Sequence, residues 1–141
     1  MDGPAQAGAP AALARLGVTA GQVVQELGWD DDTDEELRSA IEGVSGTPLE
    51  DEGYGDGADV VLLWHRAEDG DLVDTLVDAL TNLVDRGLLL LATPRAGQDG
   101  HVEPSDIEDA ALSAGLHVAG GANLSRSWAL ARLVAPRGQR R

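Results

Sequence analysis

The chain has no cysteine, no phenylalanine and no lysine. Without cysteine there is no disulfide, no zinc–thiolate site and no thiol nucleophile. Aromatic residues are few: Trp29, Tyr54, Trp64 and Trp128. The core must therefore be built from Leu, Val, Ile and Ala, and each tryptophan brings a large area to bury and an N–H to satisfy. All ten basic residues are arginine, which together with abundant Ala, Gly and Val reads as the coding habit of a GC-rich genome. Positive charge is also scarce. Ten arginines face 25 acids, a net charge of -15, which would repel nucleic-acid phosphates, so no nucleic-acid partner is expected. The balance is uneven, because from Ala111 onward there are five arginines and no acid. No apolar run approaches the roughly 20 residues of a membrane span. The opening MDGPAQAGAPAA lacks the basic and apolar regions of a secretory signal. The expectation is a cytoplasmic protein with no membrane partner.

What is present is an ordered series of hydrophobic blocks. QVVQELGW (residues 22–29) comes first, VVLLW (60–64) and LLLLAT (88–93) follow, and two shorter strand-like segments close the chain. Capped amphipathic patterns fill the first gaps. The order is β-α-β-α-β-α-β-β, a three-layer α/β Rossmann-like sheet, mostly parallel, with a C-terminal antiparallel hairpin. Residues 1–11 and 137–141 are expected to be disordered tails around a single domain over 12–136. Residues 11–16 suggest a short helix that stops at Gly17.

The first strand is placed over residues 22–27. Thr33-x-x-Glu36 reads as a capping box opening a helix to about Glu42, with Gly43 as its stop. Residues 59–64 are apolar on both faces, as a buried parallel strand requires. Residues 70–86 carry the strongest helical spacing, including Leu72, Leu76, Leu80, Leu83 and Val84, with Gly87 as the stop. Residues 88–93 form a second buried, central strand. Ser105-x-x-Glu108 is a further capping box, and Gly115 ends that helix. Residues 116–119 and 127–134 are the closing strands.

Ligands of such sheets bind at the carboxyl ends of the strands. Three loops there carry distinctive residues: Gly28, Trp29 and Asp30 after the first strand, Trp64, His65 and Arg66 after the second, and Thr93 and Arg95 after the third. These eight are the candidate ligand-binding residues. Trp29 and Trp64 would offer stacking surface, Arg66 and Arg95 would meet an anionic group, and Asp30 a cationic or hydroxyl group. His65 is the one histidine at a strand end and the one candidate base, yet no Ser, Cys or second His partners it in sequence. No catalytic residue is assigned. The acids from Asp30 to Glu35 do not match a calcium loop, and the histidines have no ligand spacing, so no metal site is assigned.

Glu26-Leu27-Gly28-Trp29-Asp30 is similar to the acid-x-Gly-x-Gly turn of class I methyltransferases, with Asp30 in place of the second glycine. Five acids crowd the following helix start, which disfavours a pyrophosphate. The stretches LGVTAGQVVQELGWDDDTDEELRSAIE, ADVVLLWHR, GLLLLATPRAGQDGHVEPSDIEDAALSAGL and SWALARLV resemble the DUF3052 family in its actinobacterial form, over roughly residues 13–136. The resemblance implies a class I methyltransferase-like fold trimmed of its second and third β-α units. It implies no reaction.

The reading that follows is a non-catalytic regulatory or adaptor protein that binds a small molecule or a protein partner without a cofactor. The enzyme alternative is a minimal methyltransferase using S-adenosylmethionine. A third reading is a structural oligomer subunit, with SWALARLV pairing across a homodimer edge.

Overall fold

The computed structural model describes residues 4–136. Five strands form one sheet in the order β1-β2-β3-β5-β4. They are β1 (Val24–Leu27), β2 (Ala58–Trp64), β3 (Leu83–Pro94), β4 (His117–Ala122) and β5 (Trp128–Val134). Four α-helices flank it: α1 (Pro4–Arg15), α2 (Glu35–Ser45), α3 (Leu72–Leu80) and α4 (Pro104–Ser113). The α/β class is as expected, but the mostly parallel sheet is not. β1–β2 and β2–β3 pair in parallel, whereas β3–β5 and β4–β5 pair antiparallel, so the sheet is mixed.

Side-chain alternation along the central strands builds both cores. Val60, Leu62 and Trp64, with Leu88, Leu90 and Ala92, face α1 and α2 and pack on Leu13, Leu37 and Ile41. Val61, Leu63, Leu89 and Leu91 face the other way, onto Leu76 and Ala79 of α3 and Ile107, Ala110 and Ala111 of α4. Helices thus cover the sheet on both faces.

Several boundaries differ from the sequence expectation. From Pro4 on, the expected tail is the helix α1, in which Ala9, Ala12 and Leu13 are buried; residues 1–3 and the expected 137–141 tail lie outside the described residues. α2 is capped by Asp34 rather than Thr33, since its carboxylate accepts from the Leu37 N–H at 3.0 Å. It runs through Gly43 and ends at Gly46 in the left-handed conformation. α4 begins with Pro104 after Glu103, so Ser105 lies inside its first turn and caps nothing.

The largest shift is in α3, which stops at Leu80, six residues before the expected end at Arg86. Asn82 explains it. Its amide donates to Gln25 Oε1 (3.0 Å) and the Tyr54 carbonyl (2.9 Å), its Oδ1 accepts from the Gly57 N–H, and its carbonyl accepts from Ala58 N–H. Leu83 then pairs with Ala58 as the start of β3.

β5 is inserted between β3 and β4, hydrogen-bonded on both sides. The backbone groups of Trp128–Val134 are already used within the sheet, so the third reading, a homodimer paired through this strand, finds no open edge there.

Candidate functional site

β1 carries Glu26 to the face covered by α2. There its carboxylate is buried (6% exposed) and fully engaged. Arg38 of α2 donates from Nε to Oε2 (2.6 Å) and from Nη2 to Oε1 (2.7 Å), and the Trp64 indole N–H donates to Oε2 (2.8 Å). The Glu26 hydrogen bond, ahead of the cost of burial, makes Arg38 hold its proton more firmly than usual. Trp64 is buried, edge-on to Trp128 with centroids 4.9 Å apart. It forms no exposed stacking surface, contrary to the role expected of it.

The turn after β1 is closed upon itself. Gly28 has φ +79, and a Cβ there would come within 2.3 Å of the Trp64 carbonyl oxygen. Its N–H donates to Glu52 Oε2 (3.0 Å) and its carbonyl accepts from Arg66 Nη1 (2.8 Å). Glycine is required here by the approach of β1's exit to β2.

Arg66, expected to await an anion, is already neutralised. Its guanidinium clasps the Asp32 carboxylate with both Nε and Nη2, reaches Asp69 at 3.2 Å, and lies 5.1 Å from the Trp128 ring centroid. That hydrogen bond to Arg66 is the main cause holding Asp32 below the usual carboxylate range, and the same contact raises Arg66.

Of the eight residues singled out in the sequence, six border one cleft of about 580 Å³ on the α3 side: Gly28, Trp29, Asp30, Trp64, His65 and Arg66. Trp29 is half exposed at its mouth. Thr93 and Arg95 do not border it. Thr93 is buried against β5, and Arg95 donates from its N–H to Ser127 O (2.8 Å) and from Nη1 to Ser125 O (3.1 Å). Sequence reasoning missed Arg38, Glu52 and Asp32. Arg38 carried a signal, being the one basic residue between Arg15 and Arg66.

Alternation along the β2 exit turns His65 to the α3 face, with Leu63. Its backbone N–H donates to Ala92 O (2.9 Å), the residue is 2% exposed, and Nδ1 has no hydrogen-bond partner among the described residues. Burial is the main cause pushing this imidazole below its ordinary 6.5. Asp69, Asp71 and Glu68 pull it upward, and Arg66 adds to the fall. The unfolded chain therefore takes up a proton that the folded one resists. Stability from this group is complete above pH 6.5 and is lost as pH falls below it. His65→Leu is expected to flatten the decline of Tm between about pH 7 and about pH 5, measured by thermal melts across that range. An unchanged decline would show that other groups carry it.

Comparison with known proteins joins these features to a family. The family described as "Protein of unknown function (DUF3052)" matches residues 13–137. The chain belongs to the DUF3052 family. Uncharacterized proteins of Mycobacterium tuberculosis and Mycobacterium bovis are each 48% identical over 123 residues, 87% of this chain and 77% of theirs. Among solved structures, this family member's fold is similar to mitomycin 7-O-methyltransferase (TM-score 0.59, 14% identity, 94% of this chain and 54% of that one). It is also similar to the dimethyltransferase RosA of Streptomyces davawensis (TM-score 0.64, 14% identity, 93% and 54%). A third is the magnesium protoporphyrin IX methyltransferase of Synechocystis with bound SAM (TM-score 0.53, 15% identity, 93% and 79%). The DUF3052 chain thus spans about half the length of the first two. At these identities the likeness is one of fold, and the methyltransferase-like architecture expected from the sequence is present. No described helix is long and apolar enough to cross a membrane.

Proposed function

We propose that this DUF3052 protein is a binding module: a methyltransferase-like scaffold that recognises a small molecule or partner at the carboxyl ends of β1 and β2 without transferring a group. One observation carries the reading. The turn that would cradle a nucleoside cofactor is satisfied by the protein itself, with the Gly28 N–H on Glu52, the Gly28 carbonyl on Arg66, and both Glu26 oxygens on Arg38 and Trp64. S-adenosylmethionine does not suit this donor and acceptor set, because binding would have to break charge-assisted hydrogen bonds, among them those to the buried Glu26 carboxylate. Asp30 in place of the second glycine adds a side chain where the backbone would have to approach the ligand.

The cleft on the α3 face remains as the binding surface, with its half-exposed Trp29 and buried His65. Calorimetric titration with S-adenosylmethionine and S-adenosylhomocysteine, with tryptophan fluorescence read in parallel, tests the proposal. The expected result is no heat and no fluorescence change up to millimolar ligand. Micromolar binding of either compound would overturn it in favour of a minimal methyltransferase.

A further inference from the structure

We infer that Asp99 is a site of covalent modification: its carboxyl condenses with the Gly100 amide to a cyclic imide, which reopens as isoaspartate. The reaction needs no enzyme. The Gly100 nitrogen attacks Asp99 Cγ, a C–N bond forms, and the carboxyl hydroxyl leaves with the amide proton as water. Water then adds back to the imide. Opening at the Asp99 main-chain carbonyl leaves the backbone running through Cβ and Cγ, one methylene longer and of unchanged mass. Glycine after the acid favours closure, because it brings no side chain to crowd the ring.

The fold selects this pair from others of equal sequence. Asp–Gly occurs four times, at residues 2–3, 56–57, 69–70 and 99–100, the first outside the described residues. Two conditions separate the other three: a carboxyl free to swing onto the chain, and an amide nitrogen not held by an acceptor. At 56–57 the amide is held, since the Gly57 N–H donates to Asn82 Oδ1 (3.2 Å). At 69–70 the carboxyl is held. Asp69 Oδ2 accepts from the Arg66 backbone N–H (2.9 Å) and from Arg66 Nη1 (3.2 Å). At 99–100 both groups are free. Asp99 is exposed, its carboxylate makes no hydrogen bond or ion pair among the described residues, and the Gly100 N–H has no acceptor among them.

The added methylene falls where the fold has little slack. The Gly100 carbonyl accepts from the Ala67 N–H (2.9 Å) and so ties the turn between β3 and α4 to the exit of β2. A Cβ on Gly100 would come within 3.0 Å of Arg66 Cβ and 3.1 Å of Glu68 Oε1. His101 Nδ1 lies 2.9 Å from the Pro94 carbonyl oxygen, closing the turn on its other side. A longer backbone at 99–100 therefore loosens the tie to Ala67, the residue that follows His65 and Arg66.

The test incubates the intact chain in warm, near-neutral buffer, either folded or unfolded in urea, and then cuts it with trypsin. With no lysine in the chain, cleavage at Arg38, Arg66, Arg86, Arg95 and Arg126 places Asp56, Asp69 and Asp99 in three separate peptides, 39–66, 67–86 and 96–126. The imide is read as the loss of one water, and isoaspartate as an isomer of equal mass that resists a protease cutting before aspartate. In the folded chain, 96–126 is expected to convert roughly tenfold faster than either other peptide, the protection given by holding one reacting group in a hydrogen bond. In urea the three are expected to convert alike. Equal conversion of all three in the folded chain would overturn the selection of Asp99. So would a folded 96–126 that stays intact while its urea-treated counterpart converts. Asp99→Glu, at an exposed position, cannot close the same ring. It should leave 96–126 unmodified and hold Tm constant through an incubation that lowers the Tm of the unsubstituted chain. Conversion of 96–126 in the Asp99→Glu chain would place the reaction at another residue, and an equal fall of Tm in both chains would sink the loosening of the Ala67 tie.

Discussion

Gly28→Ala is expected to lower the free energy of unfolding by about 3 kcal/mol, measured by urea denaturation. Two costs add. An L-residue held in the left-handed region costs roughly 1–2 kcal/mol, and overpacking against a fixed neighbour costs about 1–3 kcal/mol. The neighbour is backbone, the Trp64 carbonyl oxygen 2.3 Å from the added Cβ, so no side-chain rotation relieves it. Gly46 supplies the control. Its φ of +78 nearly equals the +79 of Gly28, but nothing lies within 4 Å of its Cβ position. Gly46→Ala should therefore show the backbone cost alone. Equal losses at the two sites would mean that β1 and β2 separate easily, against the close approach described here. A substitution at Gly28 is in consequence a stability mutation first, and is unsuited to mapping a ligand.

Arg38→Met is expected to cost about 3 kcal/mol, the scale for stranding one member of a buried ion pair. Glu26 would keep one hydrogen bond, from Trp64, in a site nine-tenths shielded from water. The paired change Glu26→Leu with Arg38→Met removes both charges and should recover most of the loss, because apolar replacement of a whole buried pair is often neutral or better. A double variant no more stable than Arg38→Met would show that the guanidinium holds α2 by packing its stem and not by charge. The residual loss in the double variant also measures what Trp64 gives up when its indole N–H has no acceptor.

Much of the fold was legible because it rests on local pattern. β2 and β3 are covered on both faces, so Val60–Trp64 and Leu88–Ala92 read as unbroken apolar runs, and their parallel pairing follows from the helix between them. The end of α3 was hidden because Leu83 and Val84 continue a helical spacing by chance. What stops the helix is Asn82, whose partners Gln25 and Tyr54 lie 57 and 28 residues away. The strand order of the closing hairpin was hidden for a similar reason: sequence adjacency of β4 and β5 says nothing of which one docks on β3.

The site was half legible. Position at strand ends pointed to the loops holding Trp29 and His65, and both residues border one cleft. Side-chain direction was not available from position. Trp64 and His65 are neighbours in sequence but face opposite layers, one toward Glu26 and the other toward α3, and only the pleat of β2 assigns them. The engagement of Glu26 by Arg38 crosses twelve residues and two elements. Composition signalled that Arg38 was unusual but could not name its partner.

The insertion of β5 between β3 and β4 has a consequence for synthesis on the ribosome. Until residues 128–134 leave the exit tunnel, β4 has no strand to join, and β3 shows one bare margin along Leu89, Leu90 and Leu91. That margin is an unpaired apolar strand edge and invites pairing with other unfinished copies. The sheet closes over it only as residues 128–134 arrive, so a pause in translation between β3 and β5 leaves this margin open to aggregation.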